Sequence, residues 1–221
     1  MTETWAIQLA HELSAVTLFD EGVEAARNAC VAGASIAAAA ITAAAWYDNP
    51  LTGVPALRDC MELLAALPLE LEAWQTALAG RSHPETMDPN YTPGFGFVSE
   101  LQAKAILESC KRLVAACGFR PEAAHSAYFL RHHQELFSTS GALNHVGLAA
   151  LLFVDHHVGI EESERRFLVW RIEVAVEQAQ LARRKGAKEF PFFSERYVYE
   201  GTSPPVRAFD MDELMQRVGL E

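Results

Sequence analysis

The sequence predicts an all-α protein. Apolar residues recur at three- and four-residue spacing through most of the chain, and no stretch alternates like a strand for longer than residues 197–199. Proline, glycine and asparagine fall between the periodic runs, where helices have to stop. Of the 221 residues, 50% are apolar and 21% charged, a balance that suits a packed core and argues against disorder.

The elements follow in order. Residues 4–14 and 21–47 read as helices, the second stopped by Asp48-Asn49-Pro50, because proline disfavours the helical conformation of the residue before it. Residues 57–67 form the next helix and end before Pro68, and 69–79 the one after, closed by Gly80. Residues 81–96 lose the pattern: Pro84, Pro89, Pro93, Asn90, Gly94 and Gly96 make a loop, and long aperiodic loops tend to carry function. Helices resume over 100–117, 121–137, 148–157 and 161–184. The last opens on Glu161-Glu162 and closes on Arg183-Arg184-Lys185, matching the helix dipole at both ends. Gly186 stops it, residues 190–209 are an aromatic, proline-containing tail, and 211–218 form a short amphipathic turn. Within 21–47, Ala29, Gly33, Ala37, Ala40 and Ala44 line one face with small side chains, suited to a close intramolecular helix pair or to a dimer interface.

Charge narrows the partners. Lys plus Arg number 18 against 29 Asp plus Glu, giving a net charge of −11. Such a surface repels phosphate backbones and anionic lipid, so neither nucleic acid nor a membrane is expected as a partner. No apolar run reaches the roughly 18–20 residues that a bilayer requires. The start of the chain lacks the basic residues of a signal peptide. Cys30, Cys60, Cys110 and Cys117 are scattered without CxxC pairs, so a reduced, cytoplasmic protein is expected.

Three segments, in order, carry a family likeness. They are Pro93-Gly94-Phe95-Gly96; then Leu143-Asn144-His145-Val146-Gly147-Leu148 with the apolar run to Asp155; then Phe167 through Arg171 and Gln178 to Arg183, with Gly186 and Tyr197. They resemble, respectively, the PGFGH loop, the LNVDG-led helix and the closing helix of the citrate synthase and citryl-CoA lyase superfamily, which includes the C-terminal lyase part of ATP-citrate lyase. Ala10-His11-Glu12 is a weaker fourth match. The likeness runs over residues 9–205 and implies a citrate-synthase-like helical fold that lacks the N-terminal large-domain helices of a usual synthase. It further implies a large-domain remnant at 1–80, a small helical domain at 81–160, and a closing helix and tail at 161–221.

The resemblance implies a dimer, of like chains or with a citrate-synthase-like subunit, that binds a CoA thioester and a di- or tricarboxylate. Its chemistry is Claisen-type: a carboxylate takes the α-proton, histidines polarise the oxygens and arginines hold the acid. Most of those groups are absent. The loop histidine falls on Phe97 and the base on Val146; the histidine of an HGGA turn falls near Thr52-Gly53; the arginine of an Asp-Pro-Arg segment has no counterpart in 98–105, where Lys104 is the nearest cation. A tail arginine falls near Lys188-Glu189. His11 and Arg171 match acid-binding positions, and Arg183 closes the same helix as a third substrate-binding candidate.

His145 and Glu100 are the local candidates to replace the lost catalytic groups, each with a plainer reading as a loop hydrogen bonder or a helix-end carboxylate. His132, His133, Asp155, His156 and His157 lack ligand spacing, so no metal is expected, and no cofactor beyond CoA thioester as a possible substrate. Ser99 and the cysteines lack a nucleophile-elbow pattern. The readings left open are a divergent enzyme, a non-catalytic subunit pairing with an active chain, and a helical interaction module. On the first two, Arg171→Ala is expected to abolish carboxylate-dependent stabilisation and leave the fold intact; an Arg171 buried against an internal glutamate, remote from any cavity, would restrict the likeness to shape.

Overall fold

The structure is a computed structural model that describes residues 4–16, 20–78, 92–96, 100–137 and 143–185. Among them run nine helices: α1 (Thr4–Val16), α2 (Glu21–Val31), α3 (Ile36–Trp46), α4 (Val54–Ala66), α5 (Leu71–Leu78), α6 (Glu100–Cys117), α7 (His125–Leu136), α8 (His145–Asp155) and α9 (Ile160–Lys185). The described residues hold no strand; two isolated bridges, Thr92 to Phe95 and Phe95 to Leu143, are the extended pairings they contain. Most of the expected loop over 81–96, Phe97, the tail and the turn at 211–218 lie outside the described residues.

The helices expected from 57 and 148 begin three residues earlier, at Val54 and His145, and two others depart further from the reading above. The run over 21–47 is broken: Gly33 takes a φ of +99° and Ser35 caps a fresh helix by accepting from Ala38 N. The stripe of small residues is therefore not one face of one helix. The helix expected from Pro121 starts instead at His125, because residues 121–123 make a turn on the Arg120 carbonyl. Ala124, at the N-cap, offers no capping side chain. The cap comes from afar: the Asp155 carboxylate at the end of α8 accepts from His125 N (2.7 Å) and Ser126 N (2.9 Å). α8 itself ends in a Schellman turn, with Val158 N on Phe153 O and His157 N on Val154 O, and His157 takes the left-handed position at φ 56°.

Packing divides the interior into two apolar cores. The larger gathers α1, α4, α5, α6, α7 and α8 around Trp74, Phe129, Phe153 and Phe167. The smaller is made by α2, α3 and the later part of α9, with Val23, Ala26, Ala39, Ala43, Val174 and Ala175 in contact. α9, 26 residues and about 39 Å long, serves both. α8 is apolar almost all round and buried from Val146 to Phe153, so it is the central helix of the larger core. α3 is equally apolar but buries only one side, through Ala39 and Ala43. Ala37, Ile41 and Ala45 line its open side, and Ile41 and Trp46 are 70% and 44% exposed. No described helix is long and apolar enough to cross a membrane.

Candidate functional site

Two motifs far apart in the sequence meet at the start of α8. Asn144 N donates to Gly94 O (3.0 Å) and Asn144 Nδ2 to Gly96 O (3.2 Å), while Asn144 Oδ1 accepts from Gly147 N (3.0 Å) and caps the helix. The backbones touch. A Cβ on Gly147 would lie 2.2 Å from Gly94 O, and one on Gly94, at φ +81°, would lie 2.8 Å from Gly147 Cα. Only glycine fits at either place.

This junction sets His145 as the first residue of α8. Its Nε2 lies 3.4 Å from the Thr52 carbonyl, and its ring runs parallel to that of Phe167 at 6.3 Å. The turn that presents Thr52 is organised by Asn49, whose Oδ1 accepts from Leu51 N and Thr52 N. Desolvation, and next the Arg171 charge, push the His145 imidazolium down to about 3, against an ordinary 6.5, with Asp20 and the Thr52 carbonyl opposing. His145 is therefore neutral at physiological pH, a hydrogen-bonding group and a weak base.

Arg171, on α9, sits at the seam between the two cores with 1% of its surface exposed. Its Nη2 donates to Oδ2 of Asp20, a buried ion pair. Its guanidinium lies over the Tyr47 ring at 4.7 Å and near the Phe167 ring at 5.6 Å. Asp20 Oδ1 accepts from Gly22 N (2.9 Å), Val23 N (3.2 Å) and the Tyr47 hydroxyl (2.9 Å). Burial raises the Asp20 carboxyl, but Arg171, His145, Tyr47 and Val23 together bring it below the ordinary range. Burial pushes the Tyr47 phenol far up, so it stays protonated. Among the described residues, Nε and Nη1 of Arg171 meet no acceptor.

The structure thus brings His145 and Arg171 together. It leaves His11 exposed on α1, while the adjacent Glu12 turns inward to Ser109 and Arg112. Arg183 is exposed twelve residues beyond Arg171, about 18 Å along the same helix. Glu100 opens α6, and its side chain lies outside the described residues. Val146, which the resemblance pairs with a base, is fully buried in the larger core. Asp20 and Tyr47 escaped the sequence reading. Asp20 preceding a helical run reads as a cap, which it is, and nothing local signals its second partner 151 residues away.

Neither of two described cavities reaches this cluster, so Arg171 stands buried against an internal acid (an aspartate, not the glutamate named above) and away from both, the arrangement expected if the likeness is one of shape. One, of about 690 Å³, is lined by residues that include Met61, His125, Asp155, Val158 and Ile160; the other, of about 520 Å³, lies along α4 and α5. Three of the four histidines weighed as metal ligands are engaged separately. His132 meets Glu135, His133 the Leu130 carbonyl, and His156 stacks on Trp5 at 3.9 Å. Among the described residues no group of three or more His, Cys, Asp or Glu side chains is placed to hold a metal.

No family model matches the sequence, and no curated protein matches it. A solved structure does: citryl-CoA lyase from Hydrogenobacter thermophilus, 17% identical, with a TM-score of 0.50 over 97% of this chain and 83% of that one. At that identity the likeness speaks for shape. The chain therefore has the citrate-synthase-like all-α fold.

Proposed function

We propose that this chain is a divergent citrate-synthase-like protein that binds a di- or tricarboxylate and an acyl-CoA thioester beside the first turn of α8. Arg171 serves the acid, in exchange for its internal partner Asp20; His11 and Arg183, exposed and apart from it, are not part of this grip. The observation that carries the reading is the shared cluster: two residues singled out by separate motifs, His145 and Arg171, flank the same Phe167 ring. A neutral imidazole in a desolvated setting is suited to donate to a carbonyl or enolate oxygen, as in other enzymes where a histidine acts as electrophile. In this reading His145 takes that task and Glu100 the removal of the α-proton, in a Claisen-type formation or cleavage of a C–C bond.

Val146 favours a second reading. A fully buried valine where the family carries its base removes the group that starts the chemistry, which suits a non-catalytic subunit paired with an active chain. In both readings we propose a dimer through α3, whose open side exposes Ile41 and Trp46. A helix apolar all round is expected to be covered on all sides. A cytoplasmic location goes with four free cysteines, of which Cys30, Cys60 and Cys110 are buried.

Thermal shift with acetyl-CoA, CoA, citrate and oxaloacetate tests the ligand assignment. At a hundredfold excess over Kd the melting temperature should rise by about 5–10 °C. No shift with any of the four refutes it. Turnover of the bound pair by the isolated chain supports the enzyme; binding that turns over only when a second citrate-synthase-like chain is added supports the subunit. Native mass spectrometry should report a dimer that Ile41→Glu converts to monomer; a monomeric parent chain refutes the α3 assignment.

A further inference from the structure

The Arg171 guanidinium already has an anion, supplied by the chain itself. Asp20 is fixed by two backbone N–H groups, the Tyr47 hydroxyl and Arg171 Nη2, so both of its oxygens are engaged. Gly22, in the first turn of α2, leaves the room for this: a Cβ there would lie 2.6 Å from the Tyr47 ring. An external carboxylate meets three obstacles, the first being that the guanidinium is buried and neither described cavity reaches it. With His145 and Tyr47 uncharged, Asp20 and Arg171 cancel, and the cluster presents no net positive charge. Nη2 also belongs to both two-pronged faces of a guanidinium, so a ligand seeking the bidentate grip must share that nitrogen with Asp20.

We propose that Asp20 is a tethered competitor for the carboxylate site of Arg171, an internal anion whose hold on the guanidinium sets the affinity for any external one. The proposal rests on the carboxylate-binding reading above. Nε and Nη1, without acceptors among the described residues, are donors that a ligand would use once Asp20 gives way.

Asp20→Asn tests it. Asparagine caps a helix as well as aspartate does and is the same size, so the α2 start is kept while the charge is removed. Citrate is titrated calorimetrically at constant ionic strength into the parent chain, Asp20→Asn, Arg171→Gln and the double variant. Citrate should bind Asp20→Asn at least tenfold tighter than the parent, and the double variant should lose that gain. Tyr47→Phe, which removes one hydrogen bond from Asp20, should move affinity the same way by a smaller factor; it carries the test if Asp20→Asn does not fold. Unchanged affinity in Asp20→Asn, with binding still lost in Arg171→Gln, overturns the competitor and leaves the ligand site standing. A gain that survives in the double variant overturns it too, since it would then reflect net charge alone. Citrate binding indifferent to Arg171 in the parent overturns the underlying reading.

Discussion

Arg171→Ala should destabilise the fold by about 3–5 kcal/mol, measured by urea denaturation at neutral pH. The substitution deletes a side chain fully buried between Tyr47 and Phe167 and leaves the Asp20 carboxylate buried without its cation. Sequence reasoning expected an intact fold from this variant, treating Arg171 as a site residue with solvent before it. The ion pair reverses that expectation. A buried pair is worth little against a well-packed apolar substitute, yet removing one member strands the other. The double variant Asp20→Asn with Arg171→Met should therefore recover most of the loss. A cost below about 1 kcal/mol for Arg171→Ala alone would mean that the pair has little structural role. Arg171→Gln is neutral as well and strands Asp20 in the same way, so in the ligand tests its fold is checked by the same denaturation curve.

The fold should also weaken steeply in mild acid. His145 titrates near 6.5 in an unfolded chain and at about 3 in the folded one. Between those values the unfolded chain binds a proton that the folded chain refuses. Stability therefore rises with pH through this window and is lost as pH falls, at up to about 1.4 kcal/mol per pH unit from this one group. Asp20, depressed below its ordinary range, adds to the loss at the acid end: its contribution is present above its unfolded pKa and disappears as pH falls through the folded value. His145→Gln should flatten the profile between pH 6 and pH 4. An unchanged slope in that variant would place the acid sensitivity elsewhere.

The architecture was largely legible because helix signals are local. Apolar spacing and proline stops at Pro50 and Pro68 located most elements, and α6 and α9 fell within one residue of their expected bounds. The misses have a common cause in distance. Alanine favours helix throughout 34–45, so the break at Gly33 depends on one backbone conformation that composition does not announce. α7 begins where a carboxylate thirty positions downstream can cap it. The pairing of Arg171 with Asp20 spans almost the whole described chain, and a capping aspartate looks the same in sequence whether or not a cation also waits for it. His145 and Arg171 were legible as candidates only through the resemblance; their sharing of one aromatic ring required the fold.

The abutment of Gly94 on Gly147 has a consequence for inheritance. At both positions any side chain drives an atom into main chain, so a descendant that abandoned chemistry altogether would still be obliged to keep these two glycines. Steric necessity alone can thus preserve the outward signature of an enzyme. Its persistence reports how two loops are stitched together, and the ionisable neighbours, free to drift, are where a lost or altered occupation would be written.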